Sequence, residues 1–152
     1  MNGHGDFIGR GWAFPLGVDG RGGIKLLGGS EELEASIRMI LATAPGERVM
    51  RPEFGCEIWD LLFAPIDPNT LGLMAVAVTT ALERWEPRID LVEVLPMVSA
   101  EHPARVDLAV TYKIKATNDL RNLVFPFYTI PKEEAPTSAE ERLARLVLEE
   151  TL

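Results

Sequence analysis

Apolar positions recur at two different periods along this chain, and the change from one to the other falls at a single corner. From residue 30 to residue 85 the period is helical. Leu33, Ile37, Ile40, Leu41 and Ala44 mark one apolar stripe, and Leu71, Met74, Ala75, Val78, Ala81, Leu82 and Trp85 mark a second. The first helix is expected to open at Ser30 as cap, with Glu31, Glu32 and Glu34 in its positively polarised first turn, and to stop at Pro45-Gly46. The second is expected to start near Pro68 to Thr70 and to end at Trp85. Between them, Glu57 to Phe63 fits one or two helical turns with Ile58, Leu61 and Leu62 inward. After residue 88 the period becomes two. Val106, Leu108, Val110, Tyr112 and Ile114 alternate with Asp107, Ala109, Thr111, Lys113 and Lys115, which predicts a half-buried strand. Ile89 to Val98 is apolar on parts of both faces and is expected to be a central strand. Arg121 to Ile130 is the last strand, and Pro126 in its middle removes a donor and predicts an edge position. Gly23 to Leu27 is a short strand candidate. The whole predicts an α+β domain, two main helices packed on a small, mainly antiparallel sheet.

The corner is Trp85-Glu86-Pro87-Arg88-Ile89. Pro87 cannot extend the helix, and it pushes Glu86 into extended backbone. Glu86 and Arg88 are then two apart in extended chain and face one side. Arg51-Pro52-Glu53 mirrors the triplet with its charges reversed. The two corners are expected either to cross-pair, Arg51 with Glu86 and Glu53 with Arg88, or to be separate solvated turns.

The ends differ from the middle. Residues 1–23 hold eight of the 13 glycines, yet carry Phe7, Trp12 and Phe14. This arm either folds back on its own domain or becomes ordered on a neighbour, with the rings as anchors; both readings stay open. Residues 24–130 form the main domain. Residues 131–152 read as a charged linker, then a helix that opens with the capping box Ser138-Ala139-Glu140-Glu141 and carries Leu143, Leu146 and Val147 on one face.

Composition narrows the function classes. The net charge of −8 argues against a nucleic-acid surface. No run approaches the roughly 18 apolar residues of a membrane span. A single cysteine, Cys56, allows no internal disulfide and suits the reducing cytosol. His4 and His102 have no neighbouring ligand at metal spacing, and no phosphate loop is present, so neither metal nor cofactor is expected. Glu47, Glu53, Glu57 and Asp60 lie in one region and could be drawn as a hydrolase pair, as any acidic protein allows. No catalytic residue is expected.

Three blocks carry a resemblance: Gly9 to Leu16, Thr43 to Cys56 (Thr-Ala-Pro-Gly-Glu-Arg-Val-Met-Arg-Pro-Glu-Phe-Gly-Cys), and Trp85 to Ile89. In order and spacing, across about residues 9–130, the chain resembles the baseplate wedge and sheath-initiator family of contractile tails. That family serves phage tails, type-six secretion and extracellular injection particles, and has sometimes carried a lysozyme-like label. The resemblance implies a structural protein, about six copies per particle, that joins the wedge to the tube. It also implies a fold like the strand-exchanging domain of sheath subunits, which templates the first sheath ring. Implied partners are sheath subunits, wedge proteins and tube proteins, with no nucleic acid and no membrane. Assembly is expected in the cytoplasm, at the baseplate of a tail-like particle. Glu86, Pro87 and Arg88 would be the family's signature corner. Leu123, Phe125, Pro126 and Phe127 are the candidate edge strand that Pro126 points to, and which edge of the sheet accepts a sheath strand stays open. The alternatives are a cell-wall glycan hydrolase and a free-standing peptide-binding module.

Overall fold

The structure is a computed structural model that describes residues 8–130; Phe7 and the expected C-terminal helix lie outside the described residues. Two helices, a short 3-10 turn and five strands follow in chain order: β1 (Arg10–Trp12), β2 (Leu26–Gly28), α1 (Ser30–Ala42), the 3-10 turn Glu57–Leu61, α2 (Pro68–Trp85), β3 (Ile89–Val98), β4 (Arg105–Ile114) and β5 (Leu120–Tyr128). The fold is the expected α+β, with both sheets antiparallel: a β1-β2 pair and a three-stranded sheet ordered β3-β4-β5.

The helices bury the stripes their periodicity announced. Leu33, Ile37, Ile40 and Leu41 from α1 meet Met74, Val78, Ala81 and Leu82 from α2 over one face of the large sheet. That face consists of Val106, Leu108, Val110, Tyr112 and Ile114 on β4, with Leu123 and Phe127 beside them on β5. Asp67 caps α2, its carboxylate accepting from the Thr70 amide at 2.7 Å, and Pro68 occupies the first turn, where its missing N–H costs nothing. α1 departs from expectation. Its cap is Gly29 at φ 63°, and Ser30 is already helical and makes no side-chain cap bond. The chain turns off β2 through a backbone region that favours glycine, and this places the cap one residue early.

β3 is not central. It forms one edge of the sheet, and β4 is the middle strand. Only Ile89 of β3 is buried, and a bulge interrupts its pairing between Leu91 and Glu93. Its two-faced apolar character leaves Val92, Leu95, Met97 and Val98 largely exposed. β5 is the other edge, as Pro126 predicted.

Residues 43–56 are charged but dotted with apolar anchors, and the last three of them, Phe54, Gly55 and Cys56, are buried. Thr43 and Cys56 close the segment through Cys56 N–H to Thr43 C=O at 2.9 Å. Phe54 is buried against Trp85, ring centroids 5.1 Å apart, and Trp59 donates to the Leu41 carbonyl at 2.9 Å. Cys56 is fully buried, and burial pushes its thiol up to about 11, so it behaves as a small hydrophobe. The closure depends on Gly55. Its φ is 126°, and a Cβ there would overlap the Thr43 carbonyl. Gly55→Ala is therefore expected to destabilise the domain by more than about 2 kcal/mol, read as a drop in urea midpoint at unchanged m-value.

Candidate functional site

The corner forms because α2 cannot continue through Pro87. Glu86 is the C-cap residue, its amide still bonded to the Leu82 carbonyl at 2.9 Å, with φ −123°. Its carboxylate turns inward and is only 2% exposed. A charge so placed is tolerable only when paired and hydrogen-bonded. Arg88 supplies a two-pronged fork, Nε to Oε1 at 2.6 Å and Nη2 to Oε2 at 2.8 Å. Ser36 Oγ, on α1, donates to Oε2 at 2.6 Å.

Arg88 reaches further. Nη1 donates to Glu32 Oε2 at 2.6 Å and to the Ile8 carbonyl at 3.4 Å. One guanidinium thus links the end of α2, the first turn of α1 and the root of the arm. Burial pushes the Glu86 carboxyl up, but the bonds from Arg88 and Ser36 and the charge of Arg88 outweigh it and hold the group below the usual carboxylate range. The bond to Glu86, helped by Glu32, keeps the Arg88 guanidinium charged against its own desolvation.

The mirrored triplet does not join this site. Glu86 and Arg88 pair with each other and with α1, and neither cross-pair with Arg51 or Glu53 forms. Arg51 and Glu53 are exposed and belong to the loop between α1 and the 3-10 turn. Glu32 and Ser36 are the members that sequence reasoning missed. Glu32 read as a first-turn acid and Ser36 as an ordinary helix position. The only signal was that both sit on the flank of α1 beside the buried Leu33 and Ile37.

The sheet edges can be resolved to single backbone groups. Hydrogen-bonded and free positions alternate along an antiparallel strand. The bonds Ile114 N–H to Asp119 C=O and Thr129 N–H to Ala104 C=O, at 2.9 and 2.8 Å, set the phase for β5. Arg121, Leu123, Phe125 and Phe127 are therefore spent on β4, and Leu120, Asn122, Val124, Pro126 and Tyr128 turn their backbone groups to the free side. Of the expected edge residues only Pro126 faces that side. Leu123 and Phe127 are core side chains and Phe125 is half-buried. The bonds Lys115 N–H to Arg88 C=O and Ser99 N–H to Arg105 C=O set the phase for β3 in the same way, and Pro96 faces its free side. Each edge thus carries one proline whose missing N–H interrupts the outward donors, a common guard against uncontrolled pairing. β5 keeps three alternate residues, Leu120, Asn122 and Val124, ahead of its proline, whereas β3 has the bulge before Val94 and Pro96 after it.

The arm's described part folds back through its backbone. β1 pairs with β2, a bridge joins Val18 to Ile24, and the tip closes on the Asp19 carboxylate, which accepts from the Arg21 and Gly23 amides. Ile8 packs against the core and Ala13 is buried, but most of the arm's larger apolar side chains do not follow. Trp12 is 63% exposed, and Phe14, Leu16, Val18, Ile24 and Leu26 are all open to solvent.

Comparison with known proteins locates this arrangement. The family described as "Baseplate wedge protein gp25" matches residues 28–119, more than half of the chain. The baseplate wedge protein gp25 of Enterobacteria phage T4 is 35% identical over 71 residues. That region is 45% of this chain and 54% of the phage protein, so the match spans about half the length of that relative. A crystal structure of a candidate tail lysozyme from Geobacter sulfurreducens is 46% identical, covers 73% of this chain and 99% of its own, and superposes with a TM-score of 0.64. A chain of the sixfold-symmetrised baseplate of the anti-feeding prophage is 28% identical, covers 74% and 90%, and gives 0.69.

Truncating Arg88 leaves Glu86 buried without its cation. Arg88→Ala is expected to cost about 3–5 kcal/mol, while Arg51→Ala stays within about 0.5 kcal/mol. Equal losses in chemical denaturation would return Arg51 to the site. Because the Glu86 carboxyl is held low, its contribution is complete above the unfolded carboxylate value of about 4.3 and is lost as pH falls through the lowered value. The stability gap between the wild type and Glu86→Gln should therefore narrow as pH falls below about 4.

Proposed function

This chain belongs to the baseplate wedge protein gp25 family, and we propose that it is a structural joint of a contractile injection machine, joining the wedge to the tube and templating the first sheath ring by strand addition. The observation that carries this reading is the free side of β5. Among the described residues nothing pairs with the backbone groups of Leu120, Asn122 and Val124 there, on a strand held by β4 and the core beneath it. An incoming sheath strand would bond to these three residues and stop at Pro126, so its length and register are both limited. A short ladder is weak alone, and about six copies in a ring make such contacts stable together. The similar chain of the anti-feeding prophage sits in a sixfold-symmetrised baseplate, which supports that number.

The exposed rings of the β1-β2 hairpin supply a second contact. Trp12 and Phe14 protrude from a paired backbone, so docking them on a wedge or tube protein orders little further chain. Assembly in the cytoplasm, before the particle is complete, follows from the same reading.

A glycan hydrolase, the class suggested by the Geobacter relative's description, fits the geometry less well. A general acid needs a carboxyl held up by its surroundings so that it keeps its proton. Glu86, the buried carboxyl among the described residues, is held down and fully engaged by Arg88 and Ser36. Glu47 is occupied by the Ala44 amide at 2.9 Å, and Glu53 and Glu57 line a shallow recess beside Arg84 and Trp85. The reading is therefore a non-enzymatic one.

The free edge can be blocked without touching the β4-β5 ladder. Val124→Pro removes an outward donor and is expected to cost less than about 2 kcal/mol, because the neighbouring bonds of Leu123 and Phe125 remain. Expressed with the machine's gene cluster, this variant should give bare tubes or no particles by electron microscopy; normal sheath would exclude addition at β5. Trp12→Ser should leave Tm within about 2 °C and reduce recovery of the protein with particles.

A further inference from the structure

We propose that the loop from Gly46 to Pro52 is a preformed docking tip, whose Val49 and Met50 enter an apolar pocket rimmed by carboxylates on a neighbouring baseplate protein. This rests on the baseplate reading above and names a contact that neither the sheet edge nor the hairpin provides.

Val49 is 93% exposed and Met50 90%, more than any other large apolar side chain among the described residues. Single exposed apolar residues are ordinary. Two adjacent ones at the apex of a tightly bonded loop are less so. The Gly46 amide donates to the Pro52 carbonyl at 2.6 Å and closes the neck. The Arg51 amide donates to the Arg48 carbonyl at 3.2 Å across the apex, and the Phe54 amide donates to the Arg51 carbonyl at 3.1 Å below it. The Glu47 carboxylate is fixed on the Ala44 amide, and the Arg48 guanidinium lies 4.5 Å from the centre of the buried Phe54 ring. The backbone therefore has little freedom left to lose, which lowers the cost of binding. Neither Val49 nor Met50 packs on the core, so nothing among the described residues calls for apolar side chains there.

Charge selects the partner's chemistry. Arg48 and Arg51 bracket the apolar pair in a chain whose net charge is −8. With Glu47 turned back onto the Ala44 amide, the two arginines leave the loop a net charge of +1 on an acidic body, so the tip is attracted to a local acidic rim while the body as a whole repels polyanions such as nucleic acid or an anionic membrane. Methionine adapts to an irregular pocket, and Met and Arg are both enriched at protein interfaces.

The test expresses the full chain, tagged, with the machine's other structural genes and measures the fraction that co-sediments with assembled particles. Val49→Ser with Met50→Ser should lower that fraction about tenfold or more at an unchanged Tm. Met50→Leu, which keeps the apolar volume, should retain it, and Arg51→Glu should lower it most at low salt. A double-serine variant that co-sediments at the wild-type level overturns the docking tip and leaves the baseplate reading intact. A wild-type chain that never co-sediments overturns the baseplate reading and the tip with it. If the isolated protein sediments as a dimer that the double-serine variant breaks, the occupant is a second copy, and the proposed acidic-rimmed partner is overturned.

Discussion

The fold depends on a carboxylate that has been taken out of water. Glu86 sits under the corner with almost no exposure, and burying an unpaired charge would cost more than the net stability of many domains. The fork of Arg88 and the hydroxyl of Ser36 make it tolerable. Once Arg88 is committed to that task, its remaining donors fix Glu32 and the backbone at Ile8. The end of one helix, the start of the other, the first residue of β3 and the root of the arm are then set by one cation. A buried pair of this kind is better understood as a device for specifying geometry than as a source of net stability, because its desolvation cost is large. That suits a part whose exposed elements must stand at fixed positions relative to one another.

Around this brace the molecule keeps several surfaces unsatisfied. The hairpin exposes a row of apolar side chains, the loop after α1 exposes Val49 and Met50, and the large sheet has two open edges. Each is restrained. The hairpin is paired through its backbone, the loop is closed by its own hydrogen bonds, and each sheet edge carries a proline on its free side. A net negative body with few, restrained contact points disfavours non-specific association while leaving surfaces for matching partners.

Much of this was legible beforehand. The helical stripes of α1 and α2, the strict alternation of β4 and the proline in β5 each report one element's buried face, and local periodicity decides that face. The failures were also local in origin. β3 looked central because both of its faces carry apolar residues, yet strand order depends on which neighbours have their own faces to bury, and β4 had the stronger claim. Ser30 looked like a cap because its chemistry suits one, but Gly29 could adopt the turn that the chain required. Arg51-Pro52-Glu53 looked like a partner for Glu86-Pro87-Arg88 because the charges complement. Complementarity in sequence carries no distance, and Glu86 found Arg88 two residues away and Ser36 fifty residues away instead.

The sequence by itself determined the elements, the side of each that turns inward, the corner at Pro87 and the family to which the three motif blocks point. These follow from backbone restrictions and short-range periodicity, which act within a few residues. Only the tertiary structure decided which groups the corner binds, which strand lies in the middle, and which backbone groups of β5 are left over. Those outcomes depend on contacts between positions such as Glu32 and Arg88, 56 residues apart, and on the phase of a ladder. A shift of that ladder by one residue would exchange every free donor for a paired one.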